Sequence, residues 1–121
     1  MKHNIAEIKG NVLGEPVFTS NNGLDTLKFN VIIQRFEKKK KPGEPVDTNE
    51  ITFDIIPVVL CDYVAKYWNN RKILKGDYVF VSGRLRSTQT EDGKNLFTYI
   101  NVNYADGFEN LTAWKESRIP N

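Results

Sequence analysis

A chain of 121 residues with no break in its composition fits one domain, and 40% hydrophobic residues are enough for a modest core. Charged residues make up 26% with both signs mixed, and no apolar run approaches the roughly 20 residues that cross a bilayer, so a helical membrane protein is excluded and a soluble, cytoplasmic chain is expected. One cysteine, Cys61, and one histidine, His3, rule out an internal disulfide and a structural zinc site, while a formal charge of +2 is too small to indicate a polyanionic partner by itself.

The opening MKHNIAEIKGNV lacks the apolar centre of a signal peptide. From residue 5 to 18 the chain is β-compatible, with Gly10, Gly14 and Pro16 expected to bend it into a strand, a kink and a short continuation. Asn22-Gly23 is a strong hairpin signal, because both residues tolerate positive φ. Beyond it Leu27, Phe29, Val31 and Ile33 alternate with Lys28, Asn30, Ile32 and Gln34, the period of a strand with one buried face. Residues 37 to 49 carry two prolines, a glycine and a lysine run and predict a long loop. Taken alone, that run is the solvated tip of a hairpin.

ITFDIIPVV, residues 51 to 59, predicts a strand ended or bulged at Pro57. In residues 60 to 70 the spacing changes: Leu60, Val64, Tyr67 and Trp68 fall on one helical stripe, predicting a helix over about 61 to 70 with both aromatic rings in the core. A strand follows with Val79, Val81, Gly83 and Leu85 on one face and Arg84 and Arg86 on the other. After a turn at Asp92-Gly93, Leu96, Ile100 and Val102 are expected inward, leaving Phe97, Tyr99, Asn101 and Asn103 on the opposite face. Five strands with a helix between the third and fourth form the layout of an OB-fold, an all-β Greek-key barrel. The expected domain spans residues 1–106, with 107–121 as a short C-terminal extension.

No nucleophile–base pair, phosphate loop, GxSxG turn or HExxH helix is present, so no catalytic residue, metal site or cofactor is expected and an enzyme is not the favoured reading. Arg84 and Arg86 on one strand, with Phe97 and Tyr99 on its hairpin partner, instead suit single-stranded nucleic acid, whose phosphates meet cations while each base offers a face for stacking. By periodicity alone the two rings equally fit packing under a loop or at a subunit contact. DNA and RNA are not separated by such a platform.

Over roughly residues 4 to 104 the chain resembles the bacterial single-stranded DNA-binding protein (SSB) family. The segments that carry the resemblance, in order, are NIAEIKGNVLGEPVF, FNVIIQRF, CDYVAKYWNNRKILKGDYVFVSGRLRS and EDGKNLFTY. It implies an OB-fold that binds single-stranded DNA without sequence preference during replication, recombination or repair, as a homo-oligomer, with a tetramer favoured over a dimer. It implies DNA contacts at Phe36, Arg84, Arg86 and Phe97, to which the residues themselves add Arg35, Lys38, Lys39, Lys40, Lys41, Phe53 and Tyr99. Where the family carries stacking tryptophans, this chain has Ile51 followed by Phe53, and Thr90. ADGFENLTAWKESRIPN does not resemble the family's glycine-rich linker and acidic tip, so the resemblance here implies DNA coating without recruitment of replication enzymes. A contrasting expectation is an OB-fold interaction module that serves as an accessory subunit.

Overall fold

The computed structural model describes residues 3–39 and 48–112, with side chains placed for 3–35 and 52–112. Its elements are β1 (Ala6–Asn21), β2 (Leu24–Lys39), β3 (Thr48–Cys61), α1 (Asp62–Arg71), β4 (Tyr78–Gln89), β5 (Leu96–Val102), a 3-10 turn (Ala105–Gly107) and β6 (Phe108–Asn110). Strands pair in the order β1-β2-β3-β5-β4, and a β1–β4 pairing closes the ring, as the OB-fold expectation requires. The β3–β5 contact, over Val58–Leu60, is parallel, because the chain crosses through α1 and β4 between them.

β1 achieves closure by changing partners along its length. Residues Ala6 to Asn11 pair with β4, and Asn11 to Asn21 pair with β2. Between the Leu13–Asn30 and Val17–Lys28 pairs the register slips, with Gly14 at φ 80° supplying a conformation that a side chain would resist. This is the expected kink. The β1–β2 turn also matches expectation, with Asn22 at φ 52° and Gly23 at φ 80°. Gly10 is different: it lies in an unbroken ladder, and a Cβ there would come within 2.5 Å of the Ile32 carbonyl oxygen and 2.7 Å of Val31 Cγ1. Its role is close approach of β1 to β2, not a break.

The core is built from the inward half of each strand. Val12, Leu27, Phe29, Val31, Val58, Leu60, Val79, Val81, Ile100 and Val102 are buried, with Val64 and Ala65 of α1 plugging one end. Beyond residue 106, Phe108 joins this core, meeting Phe29 edge-on at 5.6 Å and Trp68 at 4.8 Å between ring centroids. Asn110 is buried too, and its amide donates to Asp77 Oδ2 at 2.8 Å, an acceptor shared with the Leu74 N–H at 2.9 Å. A buried amide is tolerable only with such a partner.

Other local expectations change, and Leu85, expected inward with Val79 and Val81, is exposed. β3 runs through Pro57 without a bulge, in continuous register with β2; the β5 ladder starts one residue later, so the missing N–H falls at the margin of that pairing. β2 and β3 continue as a paired arm to Lys39 and from Thr48, because the backbone ladder propagates past the last core residue. Leu96 keeps the inward parity of Ile100 but is 70% exposed, since the β4–β5 hairpin extends beyond the barrel wall. Of the two helix rings, Trp68 packs on the core while Tyr67 is exposed.

Candidate nucleic-acid interface

Because side chains alternate across a strand, the same ladders that bury one set of residues must present the other set outward. On β2 and β3 the outward pairs are Lys28–Val59, Asn30–Pro57, Ile32–Ile55 and Gln34–Phe53. β1 places Leu13 beside Asn30 and Val17 beside Lys28. On the other side Asn101 of β5 lies beside Val59, and Phe97, Tyr99 and Asn101 stand directly across from Thr88, Arg86 and Arg84 of β4. Five strands therefore share one outer face.

That face is concave between β1 and the β4–β5 hairpin. A groove of about 570 Å³ has Leu13 and Val17 on one wall, Lys28, Asn30, Pro57 and Val59 along its base, and Phe97, Tyr99 and Asn101 on the far wall. Val17 is 59% exposed and Phe97 46% exposed, apolar surface that the barrel itself leaves uncovered. Phe53 and Ile55 continue the apolar face onto the β2–β3 arm beyond the groove. The Phe97 and Tyr99 rings lie nearly parallel, inclined by 29° with centroids 6.0 Å apart.

Cys61, half-buried in the groove, is more than a packing residue. Its thiol donates to Asn101 Oδ1 at 2.9 Å, tying the end of β3 to β5. Burial pushes its pKa up, helped by the negative charge of Asp62 and opposed by Arg86 and Lys28, so the thiol is neutral. At the hairpin tip the Thr90 hydroxyl donates to Asp92 Oδ1 at 2.5 Å, and the Lys94 N–H donates to the same oxygen at 3.0 Å. These bonds hold the Asp92 carboxyl below its usual pKa, the hydroxyl bond contributing most. Thr90, standing where the SSB resemblance would place a tryptophan, is thus part of the scaffold of the turn.

Arg84, Arg86, Phe97, Tyr99 and Phe53 all lie on the outer face, as their strand parity predicts. Arg35 lies on the opposite face of the arm, where its Nε is 3.5 Å from Asp54 Oδ2 and donates to Thr52 Oγ1 at 3.1 Å. Phe36, Lys38 and Lys39 have their backbone in β2, but their side chains fall outside the described residues, as do Lys40 and Lys41 entirely. Sequence reasoning missed Lys28, Asn30 and Asn101, although each sits in the polar half of a legible alternation. Leu13 and Val17 share the outward parity of β1, opposite the buried Val12, but as apolar residues in a β-compatible stretch nothing local marked them as groove residues.

No family model matches the sequence, and no curated protein matches it. Solved structures do resemble the fold. The Plasmodium falciparum SSB, in complex with ssDNA, superposes with a TM-score of 0.73 at 20% identity, covering 90% of this chain and 93% of that one. The fold is that of the single-stranded DNA-binding proteins. A deletion mutant of the Thermus aquaticus single-stranded DNA-binding protein gives a TM-score of 0.72 at 20% identity over 90% of this chain, which spans 50% of that protein. The small single-stranded DNA-binding protein of Streptomyces coelicolor gives 0.61 at 21% identity, covering 94% of this chain and 99% of that one. At such identity the likeness is one of backbone. The SSB fold here is maintained by the inward Val, Leu and Ile set and by the close packing at Gly10.

Proposed function

We propose that this protein binds single-stranded DNA along the outer face of β2, β3, β5 and β4, with little sequence preference, and so coats strands exposed in replication, recombination or repair. The observation that carries the reading is the groove itself: it brings a stacked aromatic pair, Phe97 and Tyr99, together with Lys28 and, across the hairpin, Arg86. Rings supply faces for bases and cations supply partners for phosphates, while a duplex, with its bases already stacked, gains nothing from the rings. Arg84 and Phe53 extend the same path in this reading. The Plasmodium protein of the same fold, solved with ssDNA, supports it.

Anisotropy titration with oligo-dT, oligo-rU and duplex DNA at two salt concentrations tests the reading. Tight binding of oligo-dT, weak binding of duplex, and a marked loss of affinity at higher salt are expected, since phosphate contacts release counterions. Equal affinity for duplex and single strand would remove the reading.

A second reading, that this face docks a protein subunit, draws on the exposed Leu13, Val17 and Ile55. Absence of binding to every oligonucleotide would favour it. The assembly proposed for the DNA binder is a homo-oligomer, with a tetramer preferred, and light scattering coupled to size exclusion reads it directly.

A further inference from the structure

On the outer face β5 stands between two depressions. Asn101 lines the groove on one side and a second cleft, of about 330 Å³, on the other. Glu7 of β1, Ser82 and Arg84 of β4, and Asn103 and Tyr104 just past β5 form its walls, and Gly83 and Gly107 contribute only backbone. Tyr104 is 67% exposed, so most of its ring is open to a ligand. Glu7 stands directly opposite Ser82 in the β1–β4 ladder and accepts from its hydroxyl at 3.4 Å. The Asn101 amide donates to Asn103 Oδ1 at 3.3 Å. Arg84 borders both this cleft and a neighbouring hollow that it shares with Arg86.

The charge pattern differs from that of the groove. Among the described residues Glu7 and Asp106 face a single cation, Arg84, so a phosphate is disfavoured inside, while Arg84 remains available at the rim. A neutral, flat group with hydrogen-bond donors on its edge fits better. We propose that this cleft is a nucleobase subsite: it takes one base from the bound single strand, stacks it on Tyr104 with Arg84 on an adjacent phosphate, and selects guanine through Glu7. The proposal rests on the single-strand reading above and adds one position at which the strand is not read blindly.

The choice of guanine follows from the carboxylate. Ionised Glu7 is an acceptor with two oxygens and no donor. Guanine alone among the DNA bases presents two adjacent donors, N1–H and N2–H, on its Watson–Crick edge. Adenine and cytosine offer one amino group beside an acceptor that a carboxylate repels, and thymine offers one N–H between two carbonyl groups. An unstacked base can be held by an aromatic face and read at that edge simultaneously.

The test compares oligo-dT with the same oligomer carrying one central dG, by anisotropy, for the wild-type chain, Glu7→Gln and Tyr104→Ala. The wild type should bind the dG probe about fivefold more tightly or better, as a bidentate base contact allows. Glu7→Gln should bring the two probes to within about twofold of each other while leaving oligo-dT binding intact or tighter. Tyr104→Ala should weaken both probes, the dG probe more. Equal wild-type affinities overturn the subsite, as does a Glu7→Gln variant that tightens both probes alike, the behaviour of a merely repelling surface charge. Failure of the wild type to bind either probe overturns the single-strand reading and the subsite with it.

Discussion

At α1, Arg71 lies over the Tyr67 ring, 5.3 Å from its centroid, and donates to its hydroxyl at 2.8 Å, while the neighbouring Trp68 meets Phe108 in the core. At the β4–β5 hairpin, Phe97 and Tyr99 stack on each other across from Thr88 and Arg86 and leave a groove beside them. Both regions combine tyrosine, a second aromatic residue and arginine, and as lists of residues they look alike. At the helix the cation already has its ring and one aromatic residue is part of the barrel's closure. At the hairpin the rings project from a ladder whose inward partner, Ile100, does the packing. An aromatic–arginine cluster is a binding platform only when another set of residues holds the fold.

Ile100→Ala tests that division most severely. Its side chain is 1% exposed at the β3–β5 and β4–β5 junction, and the cavity should destabilise the barrel by about 2–5 kcal/mol in urea or thermal unfolding. Affinity for oligo-dT, corrected for the folded fraction, should hardly change. Phe97→Ala should do the reverse, lowering single-strand affinity by roughly 1–3 kcal/mol at an unchanged unfolding midpoint. If Phe97→Ala unfolds the domain while its folded fraction binds normally, the two faces have been assigned the wrong way round.

The two arginine settings separate more finely. Arg86→Ala should flatten the log–log salt dependence of oligo-dT binding by about 0.7, the value of one phosphate contact. Tyr67→Ala should leave both affinity and salt slope alone and cost at most about 1 kcal/mol of stability, the scale of an exposed cation–π pair. A binding loss in Tyr67→Ala would bring α1 into the interface.

The smallest effect concerns the hairpin tip. Asp92 has a lowered carboxyl pKa in the folded state, so its bonds to Thr90 and Lys94 add stability above the ordinary carboxylate pKa, and that contribution fades as pH falls through the lower folded value. Protection of the Lys94 amide from hydrogen exchange, compared between neutral and acidic pH, should fall locally without global unfolding, and Asp92→Asn should abolish the pH dependence.

Much of this molecule was legible because its strands obey a simple period. Leu27 to Ile33 alternate, Asn22-Gly23 can adopt positive φ, and residues 60 to 70 change to helical spacing, so the barrel's layout and the outward placing of Arg84, Arg86, Phe97 and Tyr99 could be read directly. Parity says which way a side chain points, but not whether anything lies there to cover it. Leu96 has core parity and is exposed because the hairpin overshoots the barrel, and Arg35 turns away from the groove to meet Asp54 for the same kind of reason.

The sequence by itself determined the local conformations: the turns, the strand faces, the helix, and the chemistry available on each face. These depend on neighbours within a few residues, through backbone sterics and the alternation of side chains. Only the tertiary structure decided which outward faces meet. Closure of β1 onto β4 and the parallel pairing of β3 with β5 bring Leu13, Lys28, Val59 and Tyr99 around one groove, and place Glu7 beside Ser82 and close to Tyr104. Those contacts join residues tens of positions apart along the chain, and no short-range pattern encodes them, because they exist only once the ring has closed over its core.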